Sequence, residues 1–143
     1  MIREIKPEDI EKVAELSQKF FPYTAFSSPQ MIENRILGNE AKFFVFLQDG
    51  KIIGFIDIDF TNKIPRLLGI AIEEKSRQKG IATKLIEHTI KFLVEQGFKE
   101  FDLLVKVSNK PAISLYEKFG FKFEKIHEQK IENEDVLIMK KEF

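Results

Sequence analysis

Residues 66–83 read RLLGIAIEEKSRQKGIAT, and this stretch joins two different hydrophobic patterns. Its first part, Arg66 to Ile72, is almost continuously apolar, which is typical of a central β-strand. From Lys79 to Gln96 the apolar side chains follow helical spacing, and Gly97 is a typical residue for ending a helix. A strand, a short basic turn and a long helix therefore follow one another, with Gly80 at the start of the helix.

The turn between this strand and helix has the chemistry of an anion site. The first N–H groups of a helix have no partner within it, and they carry the positive end of the helix dipole. Gly80 and Ala82 leave the backbone open to a phosphate, while Arg77 and Lys79 add positive charge. The turn matches neither a Walker loop nor GxGxxG. An ordinary helix start with solvated basic residues is the alternative interpretation.

A second segment, from Asn109 to Phe121, reads NKPAISLYEKFGF. Its pattern predicts a helix that Asn109 caps and Gly120 ends. Asn109 and Tyr116 are seven positions apart, which is almost two helical turns, so both side chains lie on nearly the same face. A helix cap and a partly buried aromatic residue are the alternative roles for this pair.

The order of predicted elements is strand, two helices, three strands, helix, strand, helix and two strands. Ser28-Pro29 is a helix start, and Asp49-Gly50 is a hairpin turn signal. Between Lys51 and Phe60, Asp57 and Asp59 alternate with apolar residues, which predicts a half-exposed strand. Alternation with helices is confined to the second half, so we expect an α+β fold with a mixed sheet.

Composition excludes several function classes. The 143 residues contain no cysteine, which removes disulfides, zinc-finger spacings and a cysteine nucleophile. The 23 basic residues balance 23 acidic ones, so we expect no nucleic-acid partner. Apolar runs fall short of the ~20 residues of a membrane span, and the first residues lack a signal-peptide pattern. We expect one cytoplasmic domain over residues 1–143, without metal or membrane contact, as a monomer or homodimer.

Both segments resemble the signatures of the GNAT family of N-acetyltransferases. Arg77-Gln78-Lys79-Gly80-Ile81-Ala82 is similar to the family's Gln/Arg-x-x-Gly-x-Gly/Ala loop, and 109–121 is similar to its Asn-to-Tyr helix. The resemblance implies a three-layer, mostly antiparallel mixed sheet that binds acetyl-coenzyme A. It also implies that loop amides hold the pyrophosphate, that Tyr116 protonates the leaving thiolate and that the following residues bind the coenzyme: Ile70, Ala71, Ile72, Arg77, Gln78, Lys79, Gly80, Ile81, Ala82, Thr83 and Asn109.

One expected catalytic group is missing from the pattern. Ribosomal-protein N-terminal acetyltransferases, which the second half resembles, carry a glutamate base five residues before the asparagine, where this chain has Leu104. Forming the neutral amine at pH 7 costs an α-amine, with a pKa near 8, only about 1.4 kcal/mol of free energy. The same step costs a lysine amine roughly 4.6 kcal/mol. We therefore expect a peptide or small-molecule acceptor with a low-pKa amine.

The acceptor side is less specified by sequence. Asp57 and Asp59 share one strand face and are candidates for binding or deprotonating a cationic acceptor, with a solvated strand face as the alternative. Phe26 and the aromatic residues before it, Phe20, Phe21 and Tyr23, are candidates for the acceptor pocket or for simple packing. His88 and His127 remain without a role, because no GxSxG motif supports a hydrolase.

Direct transfer in a ternary complex is the predicted mechanism, since an acetyl-cysteine intermediate is impossible, with the amide of Ile70 stabilising the oxyanion. A regulatory module that binds acetyl-coenzyme A without turnover is the alternative function. A protein-interaction domain is the third, but it would make both signatures accidental.

Overall fold

The computed structural model describes residues 1–22, 24 and 26–143, so Tyr23 lies outside the described residues. The strands are β1 (Ile2–Glu4), β2 (Ala41–Gln48), β3 (Lys51–Asp59), β4 (Arg66–Ile72), β5 (Glu100–Lys106), β6 (Lys122–Ile126) and β7 (Val136–Glu142). The α-helices are α1 (Ile10–Phe20), α2 (Pro29–Leu37), α3 (Ile81–Glu95) and α4 (Lys110–Lys118), and short 3₁₀ turns cover Pro7–Asp9 and Glu74–Ser76.

The described strands form one seven-stranded sheet in the order β1-β2-β3-β4-β5-β7-β6. Strands β4 and β5 pair in parallel, whereas the other named pairs are antiparallel. The expectation of a mixed, mostly antiparallel sheet is confirmed. The crossover from β4 to β5 runs through α3, as a parallel connection requires.

Local signals placed most boundaries correctly. Ser28 caps α2 by accepting a hydrogen bond from the N–H of Met31 at 3.2 Å. Asp49 and Gly50 both have positive φ, at 53° and 75°, as a tight hairpin turn between antiparallel strands requires. The largest differences are at α3, which begins at Ile81 rather than at the predicted Lys79, and at β6, which ends at Ile126 although the sequence predicts a strand to about Lys130.

Two apolar clusters lie on opposite faces of the sheet. One packs α3 and α4 against it and includes Leu85, Ile86, Leu103 and Tyr116. The other packs α1 and α2 against it and includes Val13, Leu16, Ile32 and Phe43. The two helical layers therefore enclose the central strands, which produces the expected three-layer arrangement.

The prediction that β3 is half exposed is wrong. Every residue from Ile52 to Asp59 is buried, including Asp57 and Asp59. Both carboxylates lie on the face that α1 and α2 cover, and Arg35 of α2 reaches them there. The alternation of apolar and acidic residues reflects a buried ion-pair site on one face rather than solvent.

Candidate active site

Strands β4 and β5 are paired over only a short part of their length. Their register joins Arg66 to Asp102 and Leu67 to Leu103, and no further pair follows. In the pairing with β3, the register passes from Gly69 directly to Leu67, so the residue between them forms a bulge. Beyond Leu67 the two strands are no longer paired, and residues of both line a common cleft, so the unpaired stretch forms a gap between them.

Two residues of β4 direct their peptide groups into this gap. The N–H of Glu73 bonds to the carbonyl of Ile53 in β3 at 2.8 Å, which fixes the alternation of the strand. Ala71, two residues earlier, therefore also turns its peptide groups toward β3, whereas Ile70 and Ile72 turn theirs toward the gap. The expected coenzyme contact through peptide hydrogen bonds thus fits Ile70 and Ile72 but not Ala71.

The turn before α3 lies beside the gap and is open. Gly80 is its N-cap residue with φ 75°, and Gln78 also has a positive φ of 64°. A Cβ atom at Gly80 would meet no heavy atom within 4 Å, so close packing does not explain the glycine. The left-handed backbone and the open space above the N-terminal amides of α3 both suit an anionic ligand.

The side chain of Arg77 contacts both β4 and α1. Its Nε donates a hydrogen bond to the carbonyl of Ile72 at 3.1 Å, and its guanidinium lies 4.6 Å from the ring centre of Phe20. The side chain therefore joins the gap-facing edge of β4 to the end of α1. Sequence reasoning had assigned this charge to the anion site.

A cleft of about 1280 Å³ connects these features to the start of α4. Asp59 and Lys79 are absent from its lining. It is lined by most of the predicted site residues, namely Phe26, Asp57, Ile70, Ala71, Ile72, Arg77, Gln78, Gly80, Ile81, Ala82, Thr83, Asn109 and Tyr116.

Tyr116 presents a protonated hydroxyl to this cleft. The residue is 8% exposed, and its ring packs edge-on against Phe121 at 5.9 Å. Within the described part of the chain, no residue hydrogen bonds to the hydroxyl. Burial raises the pKa of Tyr116 to about 12, so the phenol is a proton donor throughout the physiological range.

Asn109 has the capping role that its sequence position predicts. Its side-chain oxygen accepts a hydrogen bond from the N–H of Ala112 at 3.3 Å. The side-chain NH₂ group points outward from this contact with its two donors uncommitted to the cap. Cap and ligand contact are therefore compatible in the same residue.

Asp57 is already engaged by a cation that sequence reasoning missed. Both of its oxygens accept from Arg35, at 2.8 and 2.9 Å, and Arg35 also lies 3.7 Å from Asp59. Desolvation raises the pKa of Asp57, against the opposing effect of Arg35. The one sequence feature that could have indicated the Arg35–Asp57 pair is the position of Arg35 on the apolar stripe of α2, 22 residues before Asp57.

Phe26 forms part of the cleft wall above this ion pair. It is 45% exposed, and its ring centre lies 5.0 Å from the Arg35 guanidinium. Nearby, the ring of Phe21 lies against Gly69, where an added Cβ would come within 3.0 Å of it. Phe21 and Phe26 therefore border the β3–β4 side of the cleft. The cation next to Phe26 is the guanidinium of Arg35 rather than a bound acceptor.

The opposite wall contains residues that no motif indicated. Leu104 lines the cleft at the position of the missing base, and Lys106, His127 and Glu132 line it further along. Lys106 and Glu132 form an ion pair. Only the folded sheet brings residues from β5 and from the β6–β7 connection together.

Two further classes of feature are absent from the described residues. No group of three or more histidine, aspartate or glutamate side chains is placed to hold a metal ion there. In the same residues, no helix combines the length and the apolar character needed to cross a bilayer.

Comparison with known proteins gives one consistent result. The family model described as "Acetyltransferase (GNAT) family" matches residues 10–121. The N-alpha-acetyltransferase of Sulfurisphaera tokodaii is 32% identical over 142 residues, covering 87% of this chain and 81% of that protein. A putative ribosomal protein bS18 alanine N-acetyltransferase of Bacillus subtilis is 30% identical over 122 residues, covering 83% and 78%.

Solved structures agree in fold. The PaiA N-acetyltransferase of Thermoplasma acidophilum, in complex with coenzyme A, superposes with a TM-score of 0.80 at 25% identity, covering 100% of this chain and 98% of that one. The ribosomal-protein-S18-alanine N-acetyltransferase of Escherichia coli gives 0.83 at 26% identity, covering 98% and 91%. The alternative of a regulatory module without turnover finds no support in these likenesses. The open turn, the strand gap and the relatives lead to one conclusion: this chain belongs to the GNAT family and is an N-acetyltransferase that transfers the acetyl group of acetyl-coenzyme A to an amine.

Proposed function

We propose that the acceptor of this acetyltransferase is the α-amine of a protein or peptide N-terminus, acetylated by direct transfer in a ternary complex. The observation that carries the proposal is that Arg35 bonds both oxygens of Asp57, which leaves the β3 wall of the cleft without an unpaired carboxylate for a polycation. Relatives named for N-α-acetylation and for acetylation of a ribosomal protein's alanine support the same acceptor class.

In this proposal, acetyl-coenzyme A lies along the gap. The amides from Gly80 to Thr83 hold its pyrophosphate, because they are the unpartnered N–H groups of α3. The pantetheine arm hydrogen bonds to the gap-facing peptide groups of Ile70 and Ile72 in the manner of an added strand. Because Arg77 already donates a hydrogen bond to the carbonyl of Ile72, the N–H of Ile72 is the group of that residue that remains open to the pantetheine arm. Asn109 donates from its free NH₂ group.

Lys79 and Gln78 have subordinate roles. Lys79 is exposed beside the turn, where its charge attracts the phosphates without belonging to the cleft wall. Gln78 contributes its left-handed backbone, which turns successive N–H groups toward the same point.

The transfer step uses few protein groups. The neutral amine attacks the thioester carbonyl, the N–H of Ile70 stabilises the oxyanion, and Tyr116 donates a proton to the departing sulfur. The chain contains no cysteine to carry the acetyl group, which favours direct transfer.

The charge of the acceptor pocket favours a peptide N-terminus over a polyamine. A cation with several amines needs unpaired carboxylates, and Asp57, the acidic residue on the β3 wall of the cleft, is neutralised by Arg35. Asp59 hydrogen bonds to Thr61 and lies outside the lining, so the predicted acceptor role of both aspartates is not part of this proposal. Apolar side chains on both walls of the cleft, Phe26 on one and Leu104 on the other, suit the first side chain of a peptide.

Acetylation assays with matched acceptors test this proposal. The first peptide offers only its α-amine, because its N-terminus is free and arginine replaces lysine. The second peptide offers only a lysine amine, because its N-terminus is blocked and it has one internal lysine. The third acceptor is spermidine. We expect acceptor-dependent thiol release with the first, and acetyl on its α-nitrogen by fragmentation mass spectrometry. A higher kcat/KM for the blocked peptide or for spermidine would refute the acceptor assignment.

A further inference from the structure

The proposed reaction leaves one proton without a recipient. An N-terminal amine is mostly protonated at neutral pH and must lose a proton before it attacks. Leu104, at the position where the resembling enzymes have a carboxylate, lines the cleft with an alkyl side chain that cannot accept one. A proton acceptor elsewhere on the same wall would let the protonated majority of the amine react, and the inference that one exists rests on the proposed function.

Sheet register brings His127 to that wall. Lys106 of β5 is directly opposite Val136 of β7, and the N–H of His127 bonds to the carbonyl of Val136 at 2.8 Å. Directly opposite residues of antiparallel strands project from the same face of the sheet, as do residues two apart along a strand. His127, Lys106 and Leu104 therefore share one face, and all three line the cleft.

The imidazole of His127 is uncommitted. In the part of the chain that the structure describes, no side chain or backbone group hydrogen bonds to its ring, although its backbone N–H is used in the sheet. The residue is half-buried just after β6, at the beginning of the β6–β7 connection. Its ring is therefore available to a ligand in the cleft.

The other titratable groups of the cleft are occupied or unsuitable. Asp57 bonds to Arg35 through both oxygens. Glu132 forms an ion pair with Lys106. Tyr116, with its pKa raised to about 12, donates protons rather than accepting them.

The elements that flank His127 carry several charged residues, namely Lys106 on β5, Lys125 on β6, and Glu128, Lys130, Glu132, Glu134 and Asp135 on the β6–β7 connection. Lys106 pairs with Glu132, and Lys130 lies 3.9 Å from Asp135.

We propose that His127 is the general base of this acetyltransferase. Its neutral ring takes one proton from the acceptor ammonium, directly or through one water, and leaves a neutral amine with a free electron pair. That pair forms the new C–N bond as the C–S bond breaks, and the thiolate receives the proton of Tyr116. The tyrosinate takes the second proton from nitrogen, and the imidazolium returns its proton to solvent. One ammonium and one thioester thus give one amide, one thiol and one released proton.

The chain supplies its own control, because it contains two histidines. His88 is half-buried on α3, its ring is 4.6 Å from the ring of Phe44, and it does not line the cleft. We compare His127→Gln and His88→Gln with the unmodified protein, using the free N-terminal peptide at pH values from 6 to 9. Coenzyme A affinity is measured in parallel by the shift of the unfolding temperature.

Removal of a base has a signature that structural damage lacks. We expect His127→Gln to lower kcat/KM about tenfold near pH 7, because only about a tenth of an α-amine with a pKa near 8 is neutral there. The difference in kcat/KM between the variant and wild type should shrink toward pH 9, because more of the acceptor amine is then neutral without a base. Below the pKa of the amine, the neutral fraction rises about tenfold per pH unit. His88→Gln should follow the wild-type profile, and coenzyme A affinity should be the same in all three proteins.

Two results would overturn the assignment. Activity of His127→Gln within threefold of wild type at pH 7 would remove the histidine from proton transfer. A deficit that stays constant from pH 6 to 9 would make its role structural. If the wild-type protein itself does not acetylate the peptide, the proposed acceptor fails instead, and the wild-type assay reports this separately.

Discussion

Replacing Tyr116 with phenylalanine removes one oxygen from the cleft wall and leaves the packing almost intact. The ring keeps its edge-on contact with Phe121, and none of the described residues loses a hydrogen bond. We therefore expect the free energy of unfolding to change by less than about 1 kcal/mol, because no buried polar partner is left unsatisfied. Any large loss of turnover then reflects chemistry rather than stability.

The size of that loss follows from the acidity of the phenol. A phenol with a pKa of about 12 is a weaker acid than a thiol, whose ordinary pKa is about 8.5. Complete transfer to the thiolate would cost about 5 kcal/mol if the tyrosinate persisted. Because the attacking nitrogen releases a proton in the same step, the tyrosinate is neutralised at once, and a net benefit of ~10²-fold, or about 2.7 kcal/mol, is the expected scale.

Thiol release at saturating acetyl-coenzyme A and peptide measures this effect. We expect Tyr116→Phe to lower kcat about 10²-fold with unchanged coenzyme A affinity. Ser114→Ala, which removes a hydroxyl from the exposed side of the same helix, is the matched control and should retain wild-type kcat. A kcat of Tyr116→Phe within threefold of wild type would show that the phenol does not protonate the leaving group.

Three further substitutions test other parts of the site. Arg35→Met leaves the buried carboxylate of Asp57 unpaired and should lower the free energy of unfolding by about 3–5 kcal/mol at pH 7. Because burial raises the pKa of Asp57, the folded variant holds a proton that the unfolded chain loses. Its stability should therefore recover by up to about 1.4 kcal/mol per pH unit on acidification, as measured by urea unfolding at pH 5 and 7. Gly80→Ala forces a left-handed alanine, costs about 1–2 kcal/mol and should weaken coenzyme A binding at least tenfold by calorimetry. Asn109→Ala removes the helix cap and should lower the free energy of unfolding by about 1 kcal/mol, whereas Asn109→Ser keeps the cap. Reduced coenzyme A affinity in both variants would show that the Asn109 amide contacts the ligand.

Much of the fold could be predicted because its signals are local. A serine or asparagine cap, a glycine with positive φ and an apolar stripe depend on residues a few positions apart, and Ser28, Gly50 and Asn109 behave as their neighbours in sequence dictate. The two signature segments are equally local, which is why the family could be inferred from residues 67–121. The assignment of single residues such as Tyr116 to coenzyme A stays a prediction that the substitutions above examine.

The order of the elements, the turn at Gly80 and the helix that carries Tyr116 could be read from the amino-acid sequence, because each depends on short-range backbone preferences. The character of the acceptor side follows from the folded sheet and helices instead. Asp57 appeared solvent-exposed in its alternating strand, and folding α2 over the sheet brought Arg35 to both of its oxygens. The common face of Leu104 and His127 likewise depends on register across three strands, and no pattern within one strand encodes which residue of another lies opposite.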